Sequence, residues 1–389
     1  LIAYALQGGR YAPFNVNRAR IRGAEVAVGM EINQWRAGAA FTAQDPEDRD
    51  TGLVLQRQSQ RSFRFDLDRA LGEFASARPR PKALHMPIAA LEAPADPAPV
   101  PPLRPERPHL THDQIYTVID ALSEAEKPLF VFGGGAVAGA AHVPELLQQT
   151  GAASLVTYAG RGIVPADQPL FFGSSLARPE SADVAAQADL VVALGTELSE
   201  VDLWRDDLGH NGRMIRVDLD PVVLSGLRAG DLGLIGDAAA LIRAMTIAIP
   251  ARNDDRPPCW QAEEVAAARA RWRAQVRAER PGVVELSEAL RAVMPAEAMI
   301  FSDMTQFAYG ALEVWDMPRP GHWHHPSGFG TLGYALPAAI GGAVGRPGLP
   351  TCAILGDYGL QYTLPELGTA VELGLPLPIL VWDNGALGE

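Results

Sequence analysis

The stretch from Thr351 to Glu389 reads TCAILGDYGLQYTLPELGTAVELGLPLPILVWDNGALGE. Two apolar runs, Thr351–Leu355 and Pro378–Trp382, are typical of buried strands, and the segment between them has the residue spacing of a helix. A strand, a helix and a second strand in this order predict two parallel neighbouring strands. Because the carboxyl ends of parallel strands meet at one edge of a sheet, we expect Asp357 and Asn384 to lie side by side there.

Each of these strands is followed by a short segment with glycine and polar residues, Gly356–Gly359 after the first and Asp383–Gly385 after the second. Carboxylate and amide oxygens, together with the phosphates of a bound ligand, are the ligands that Mg²⁺ prefers. Gly359 also leaves room for backbone to approach a phosphate. The pattern therefore indicates a metal-bridged diphosphate site. Each fragment alone is also a common turn sequence, so two simple turns are the alternative.

The chain upstream of this stretch alternates helices with strands from about residue 109, which predicts parallel sheets covered by helices on both faces. The predicted strands are Pro128–Phe132, Ser154–Tyr158, Leu190–Leu194, Met214–Leu219 and Met299–Ser302. The predicted helices are His112–Ala125, one around Val143–Thr150, Val284–Val293, one from about Thr305, and Leu364–Leu373.

Seven prolines between Pro94 and Pro108 indicate an extended linker that separates two parts of the chain. We therefore expect a first domain over residues 1–93, a Pro-rich linker over 94–108, a central domain over 109–250 and a last domain over 282–389. Residues 251–281 are charged and rich in Ala and Arg, as in a solvated helical linker. Within the first domain, a helix is predicted at about Leu67–Ala77 and a short strand at Leu84–Pro87.

Composition excludes several classes of function. The net charge of -13 repels phosphate backbones and anionic lipids, so neither nucleic acid nor a membrane surface is an expected partner. The only two cysteines, Cys259 and Cys352, argue against a disulfide framework and favour a reducing cytoplasm. The chain starts at Leu1 rather than Met, and we expect it to be part of a longer sequence.

The GDYG segment and the DNG segment some two dozen residues later resemble the thiamine diphosphate signature of the decarboxylase and acetolactate synthase superfamily, a GDG turn followed by an Asn pair. The resemblance implies that thiamine diphosphate is held through Mg²⁺, with the side chains of Asp357 and Asn384 and the backbone carbonyl of Ala386 as metal ligands. Two positions depart from the signature. Tyr358 replaces the middle glycine, and Asp383 replaces the first Asn.

The segment SGFGTLGYALPAAIGG, from Ser327 to Gly342, resembles the stretch that precedes this signature. The resemblance implies that the Gly330 carbonyl holds the aminopyrimidine and that Leu332 wedges under the cofactor. SDMTQFAYG resembles a diphosphate-binding segment and implies contacts from Thr305 and Gln306. Close helix packing is the alternative for the glycines. The implied cofactor-binding residues are Gly330, Leu332, Thr305, Gln306, Gly356, Asp357, Tyr358, Gly359, Asn384, Ala386 and Leu387.

The segments PLFVFGGGAVAGA and ADLVVALGTELSEVD resemble the central domain of the same superfamily. The glycine-rich turn is also compatible with a dinucleotide site, but no acidic residue closes the following strand to hold a ribose. Members that make acetolactate bind FAD here and carry an Arg-bearing segment, where this chain has TELSEVDLW. We therefore do not expect FAD.

The catalytic groups are harder to assign. The HWHH segment places His324 and His325 in a loop that borders the substrate pocket in this family, and imidazole is the usual proton-transfer group near neutral pH, although such clusters are also common on surfaces. The family's activating Glu in the first domain has no counterpart, since the HEQGA-like phrase that follows it is replaced by MEINQWRAGAAF. Glu25 and Glu31 are interpreted as surface carboxylates.

Taken together, the resemblance implies an α/β protein of three doubly wound parallel-sheet domains, the first incomplete. It implies decarboxylation or carboligation of a 2-oxo acid with thiamine diphosphate and Mg²⁺, in a homodimer or homotetramer. The phrases TELSEVD and IRVDLDP are most similar to decarboxylases of guanidino 2-oxo acids such as 5-guanidino-2-oxopentanoate. An acetolactate synthase and a non-catalytic binding or scaffold protein are the alternatives.

Overall fold

The computed structural model describes residues 107–250 and 260–385 in full, and the backbone of five strands before residue 70. The chain divides into two compact units, Leu1–Glu106 and Arg107–Glu389. The boundary falls within the predicted Pro-rich linker.

The strands described in the first unit pair in the antiparallel direction. One sheet joins β1 to β2, and the other has the order β3-β4-β5. Only two residues separate β3 from β4, and so short a connection joins antiparallel strands only. This pairing differs from the parallel sheet predicted for residues 1–93. The bounds are β1 Ile2–Gln7, β2 Arg10–Asn15, β3 Ala19–Ile32, β4 Trp35–Asp48 and β5 Arg61–Arg69.

Two elements predicted for this unit fall partly or wholly outside the described residues. The helix predicted at Leu67–Ala77 overlaps the end of β5 at residues 67–69, and its remaining residues lie outside the described part. The strand predicted at Leu84–Pro87 lies outside it as well. Glu25 and Glu31 are in β3, of which only the backbone is described.

The second unit contains two wholly parallel sheets, which confirms the α/β class. The central sheet has the order β10-β9-β8-β6-β7. β6 and β8 are buried at every residue, as strands covered by helices on both faces must be. The bounds are β6 Pro128–Phe132, β7 Ala153–Val156, β8 Leu190–Leu194, β9 Arg213–Asp218 and β10 Leu232–Ile235.

Two helices of the central part begin at conventional side-chain caps. Thr111 and Gln114 form a capping box, each side chain accepting a hydrogen bond from the backbone N–H of the other. Asp237 caps α5 by accepting from the backbone N–H groups of Ala239 and Ala240. The helices are α1 His112–Glu124, α2 Val143–Thr150, α3 Ser181–Gln187, α4 Glu200–Leu203 and α5 Ala238–Ala248.

Residues 251–281 differ from the predicted solvated linker where they are described. The helix α6, Ala262–Glu279, buries a face of Val265, Ala268, Trp272 and Val276. The Trp272 ring packs 5.9 Å from the ring of Phe172 in the central part. Apolar residues every three or four positions form this face, although arginines and alanines dominate the composition.

The C-terminal sheet has the order β12-β11-β13-β14 and is covered by the apolar faces of its helices. Its strands are β11 Met299–Ser302, β12 Trp323–His324, β13 Thr351–Gly356 and β14 Ile379–Trp382. Its helices are α7 Val283–Val293, α8 Gln306–Val314, α9 Ala335–Gly345, α10 Asp357–Thr363 and α11 Glu366–Glu372.

The helix predicted at Leu364–Leu373 starts earlier and is divided. Asp357 is already the first residue of α10, so GDYG is the start of a helix rather than a free turn. Pro365 has no backbone N–H to continue the ladder of hydrogen bonds, and α11 begins directly after it. Among the described residues, no helix is long and apolar enough to cross a membrane.

Candidate cofactor site

The C-terminal sheet has a switch point between β11 and β13. From β11 the chain passes to β12 on one side, and it later returns to place β13 on the other side. Loops that leave two neighbouring strands in opposite directions open a crevice at the carboxyl edge, where ligands of such sheets bind.

Asp357 and Asn384 follow neighbouring strands at this edge. β13 and β14 are parallel, and Gly356 is the register partner of Trp382. Asp357 comes directly after Gly356, and Asp383 and Asn384 come directly after Trp382, so the backbone neighbourhood expected from the sequence is present. Asp357 is half-buried, whereas Asp383 and Asn384 are exposed.

The segment after β14 is a tight turn. An Oδ1 atom of Asp383 accepts a hydrogen bond from the backbone N–H of Gly385 at 2.9 Å, and Gly385 has a φ of 64°. Asp383 therefore has a local structural role that an Asn can also fill. Ala386 and Leu387, the other implied residues of this segment, lie outside the described residues.

Thr305 and Gln306 join the loop after β11 to the ends of β13 and β14. The Thr305 hydroxyl caps α8 by accepting from the backbone N–H of Phe307 at 3.2 Å. A Cβ placed on Gly356 would lie 3.8 Å from the Thr305 Cβ. The Gln306 Oε1 atom accepts a hydrogen bond from Trp382 Nε1 at 3.1 Å. We call Thr305, Gly356, Asp357, Asp383 and Asn384 the strand-end site.

Asp303 is a further residue of this edge, which the sequence analysis did not single out. Its side chain is fully buried, and its oxygens accept hydrogen bonds from the backbone N–H groups of Gly333, at 2.8 Å, and Ala335, at 2.7 Å. Burial raises the pKa of the carboxyl group, and the amide donors oppose that shift. Asp303 thus fixes the start of α9 against the sheet. An acidic residue directly after the apolar run MIF and Ser302 was the available signal.

Asp303 also explains a glycine that was interpreted differently. A Cβ on Gly359 would lie 2.2 Å from Asp303 Oδ2, so no larger residue fits there. Close packing on this carboxylate is a structural reason for Gly359, and the approach of its backbone to a phosphate stays a prediction. Tyr358 beside it is 38% exposed.

Gly330 and Leu332 lie in the loop that leads to α9. Gly330 has a φ of 68°, which favours glycine, and its backbone N–H donates to the Pro326 carbonyl at 2.9 Å. The nearest atom to a Cβ on Gly330 would be Met304 Cε at 3.6 Å, so the position is open. Leu332 is partly buried.

The two candidate histidines occupy different surroundings. The His324 ring stacks on Phe301 at 5.0 Å, and burial followed by the neighbouring His322 lowers its pKa. The Nδ1 atom of His325 lies 2.9 Å from Ser302 Oγ, which also accepts a hydrogen bond from Trp323 Nε1 at 2.7 Å. Burial, and then the Arg161 guanidinium, lower the pKa of His325 to about 4. Both rings are therefore packed groups rather than solvated surface, and His325 is neutral near pH 7.

The switch point of the central sheet, between β6 and β8, is closed by its own backbone. The N–H of Gly133 donates to the Leu194 carbonyl at 2.9 Å, and that of Gly135 donates to the Gly195 carbonyl at 3.0 Å. A Cβ on Gly133 would lie 2.3 Å from the Gly195 oxygen. These glycines are therefore explained by the contact of two loops. The expectation that FAD does not bind stays a prediction.

The residues present fit thiamine diphosphate and Mg²⁺. Oxygen-bearing side chains follow two paired strand ends, and Gly356 and Gly385 leave the space around them open, since a Cβ at Gly385 would have no atom within 4 Å. The part of the chain that the structure describes contains no group of three or more His, Cys, Asp and Glu that could hold a metal. The expected ligand set of Asp, Asn and a carbonyl would not form such a group.

Comparisons with known proteins agree with this geometry. Residues 115–245 match the central domain of thiamine pyrophosphate enzymes, and residues 303–389 match their C-terminal TPP binding domain. The chain is 37% identical over 329 residues to a probable 2-ketoarginine decarboxylase of Pseudomonas aeruginosa, covering 82% of this chain and 58% of that protein.

Acetolactate synthases are also similar. The large subunit of isozyme 2 of Escherichia coli is 30% identical over 71% of this chain and 50% of its own length. An acetolactate synthase of Mycobacterium leprae is 28% identical over 72% of this chain and 46% of its own. The chain spans about half the length of these relatives. Its two matched domains and its parallel sheets show that the chain belongs to the thiamine pyrophosphate enzymes.

Proposed function

We propose that this chain carries the cofactor half of a thiamine-diphosphate- and Mg²⁺-dependent enzyme that decarboxylates a 2-oxo acid. The observation that carries the proposal is the register of β13 and β14, which brings Asp357 and Asn384 to neighbouring strand ends. A carboxylate and an amide oxygen at neighbouring strand ends suit a hard cation that also binds phosphate oxygens.

In this proposal Asp357 and Asn384 hold the metal through their side chains, and Ala386 does so through its backbone carbonyl. Thr305, Gln306, Gly356, Tyr358, Gly359 and Leu387 line the diphosphate end, while Gly330 and Leu332 contact the aminopyrimidine. Bound thiamine diphosphate supplies the electron sink for loss of CO₂. Asp303 keeps the Gly330–Leu332 loop in place by holding Gly333 and Ala335.

The substrate class follows from relatives. One is named a probable 2-ketoarginine decarboxylase, a name that denotes decarboxylation of a 2-oxo acid, and others are named acetolactate synthases. The guanidino 2-oxo acid is the first substrate to test, because that relative has the higher identity of those compared. Acetolactate formation is the second candidate. It is supported by the similarity to acetolactate synthases and would be checked by product analysis and by FAD absorbance.

A second copy of the chain is proposed as the partner. Large apolar side chains near the strand-end site are exposed, including Phe329 at 92%, Tyr362 at 66% and Leu364 at 48%. Covering them in a homodimer or homotetramer would exclude water from the site. Sedimentation velocity measures this directly. A reducing cytoplasm is the proposed compartment, because a chain with only two cysteines has no disulfide framework to maintain.

The decisive experiment is a titration of the chain with thiamine diphosphate and MgCl₂, followed by thermal melting and isothermal calorimetry. We expect a rise in Tm that requires both components, and a loss of affinity on the order of 100-fold in Asp357→Ala. Asp383→Asn is the matched control, because the amide keeps the acceptor for Gly385 while removing one negative charge. It should bind at least as tightly as the natural chain.

Other outcomes separate the alternatives. A Tm shift without release of CO₂ from any 2-oxo acid tested would indicate a binding module, since the activating Glu is not identified. Absence of any Tm shift would favour the alternative of a scaffold protein that does not bind the cofactor. Equal binding by Asp357→Ala and the natural chain would remove the metal assignment.

A further inference from the structure

A cluster of polar residues lies at β12 and the end of β11, where the central part of the chain meets the C-terminal sheet. We call it the Arg161 cluster, and it consists of Arg161, Ser302, Trp323 and His325. Trp323 and His325 are two positions apart on one extended segment, so they share a face, and both bond to the Ser302 hydroxyl. The Arg161 guanidinium lies over the Trp323 ring, 4.3 Å from its centroid.

Arg161 is held tightly by its surroundings. Its residue is only 4% exposed, and its Nε donates to the Tyr158 carbonyl at 3.2 Å. The preceding and following glycines permit this packing. A Cβ on Gly160 would lie 2.2 Å from the Phe132 carbonyl oxygen, and one on Gly162 would lie 2.4 Å from the Arg319 carbonyl carbon.

Three buried nitrogens of the cluster have no hydrogen-bond partner among the described residues, namely Nη1 and Nη2 of Arg161 and Nε2 of His325. Asp316 is near enough to stabilise the guanidinium electrostatically, but its carboxylate is held by Arg269 at 2.8 Å. Burial lowers the pKa of Arg161 to about 9. Buried guanidinium nitrogens without hydrogen-bond acceptors cost stability, so a group that accepts from Nη1 and Nη2 is expected.

The cluster adjoins a cavity and the strand-end site. Tyr158, which accepts from Arg161, and Tyr309, whose ring centroid is 6.1 Å from that of His325, both line a cavity of about 170 Å³. On the other side, Ser302 is followed directly by Asp303 and then by Met304 and Thr305 at the switch point. The loop after β11 thus joins the cluster to the strand-end site.

We infer that Arg161 and His325 form a subsite for a carboxylate group, with the two guanidinium nitrogens binding its oxygens side by side and His325 Nε2 contacting one of them. The planar fork of Arg matches the two oxygens of a carboxylate better than any other side chain does. The inference rests on the proposed function in one respect only, because a 2-oxo acid is the carboxylate expected near this site.

The test uses the full chain without thiamine diphosphate or Mg²⁺, so that it is independent of cofactor binding. The tryptophans are labelled with 5-fluorotryptophan, and the ¹⁹F signal of Trp323 is assigned from Trp323→Phe. Pyruvate, propionate and inorganic phosphate are then titrated. We expect the Trp323 signal to shift and saturate with both carboxylates at concentrations on the order of millimolar, and much less with phosphate.

Variants make the result specific. Arg161→Met keeps the apolar stem of the side chain but removes the guanidinium group. It should abolish the shift of the Trp323 signal on addition of carboxylates. Arg161→Lys keeps the charge without the paired donors and should weaken binding by about tenfold. Arg291→Met, at an exposed position in α7, makes the same charge change elsewhere and should respond like the natural chain.

The source of the ligand follows from the two carboxylates. Tighter binding of pyruvate than of propionate would indicate a 2-oxo acid, and equal binding would indicate a carboxylate of any kind. A silent Trp323 signal, a response that persists in Arg161→Met, or an equal response to phosphate would overturn the inference. If Arg161→Met does not fold, the comparison of Arg161→Lys with the natural chain decides the question.

Discussion

At the switch point of the central sheet the loops after β6 and β8 touch through backbone atoms, whereas in the C-terminal sheet the segments after β11 and β13 meet through the Asp303 carboxylate, which packs on Gly359. In the first, a Cβ on Gly133 would lie 2.3 Å from the Gly195 oxygen. In the second, a Cβ on Gly356 would meet nothing nearer than 3.8 Å. Both sheets are parallel and both reverse their strand order at this point.

The difference shows that architecture alone does not create a binding site. A switch point offers a crevice, but whether it stays open depends on the residues that follow the strands. Glycines in the central sheet close the crevice by allowing two backbones to meet. In the C-terminal sheet, the buried Asp303 carboxylate bonds to the amides that begin α9, and the space around Gly356 at the end of β13 is open.

The largest expected effect distinguishes Gly133, which packs against backbone, from Gly356, which has open space around it. Gly133→Ala should lower the free energy of unfolding by about 3 kcal/mol, because the new Cβ overlaps the Gly195 carbonyl and the Thr196 Cβ in the closed crevice. Gly356→Ala should change it by no more than about 0.5 kcal/mol, since that position is open. Urea denaturation measures both. Equal losses would show that the two switch points are packed alike.

Binding of thiamine diphosphate tests the open space around Gly356 in a second way. Gly356→Ala should weaken thiamine diphosphate by about tenfold, because its methyl group takes space proposed for the diphosphate. Calorimetry measures the affinity, and Gly368→Ala, on α11 with nothing within 4 Å of its Cβ, is the control. Unchanged affinity in Gly356→Ala would place the diphosphate elsewhere.

Asp303→Asn should lower the free energy of unfolding by about 2 kcal/mol. One of the two backbone N–H groups that now donate to a carboxylate oxygen would face an amide NH₂ group instead. The loss should appear in urea denaturation without any ligand. Asp383→Asn is the matched change at an exposed strand end and should stay within about 0.5 kcal/mol. If the two variants are equally stable, Asp303 does not hold the loop.

The smallest expected effect concerns His325. Its folded pKa of about 4 lies below the ordinary 6.5, so its neutral form contributes stability that is complete above about pH 6.5 and is lost as the pH falls towards 4. Between about pH 7 and about pH 5 the loss should be about 1.5 kcal/mol. Comparing unfolding of His325→Gln with the natural chain at both pH values measures it. An identical decline in both proteins would contradict the burial of a neutral imidazole.

Several features were predictable from the sequence because they depend on short stretches of chain. Continuous apolar runs such as Pro128–Phe132 and Met299–Ser302 were predicted with the bounds that the structure has. The division of the helix at Pro365 was missed, although proline is a local signal. The antiparallel strands of the first unit were missed because the N-terminal part was interpreted from the domain order of the resemblance.

Sequence alone determined the alternation of strands and helices, and with it the expectation that Asp357 and Asn384 follow neighbouring strands. Only the tertiary structure decided which glycines close a crevice and which leave one open, and it alone joined Asp303 to α9 and Arg161 to Trp323. These contacts connect residues far apart in the chain, and their packing distances depend on how the sheets and helices are stacked. The pattern of residue types carries periodicity along the chain, but it does not carry those distances.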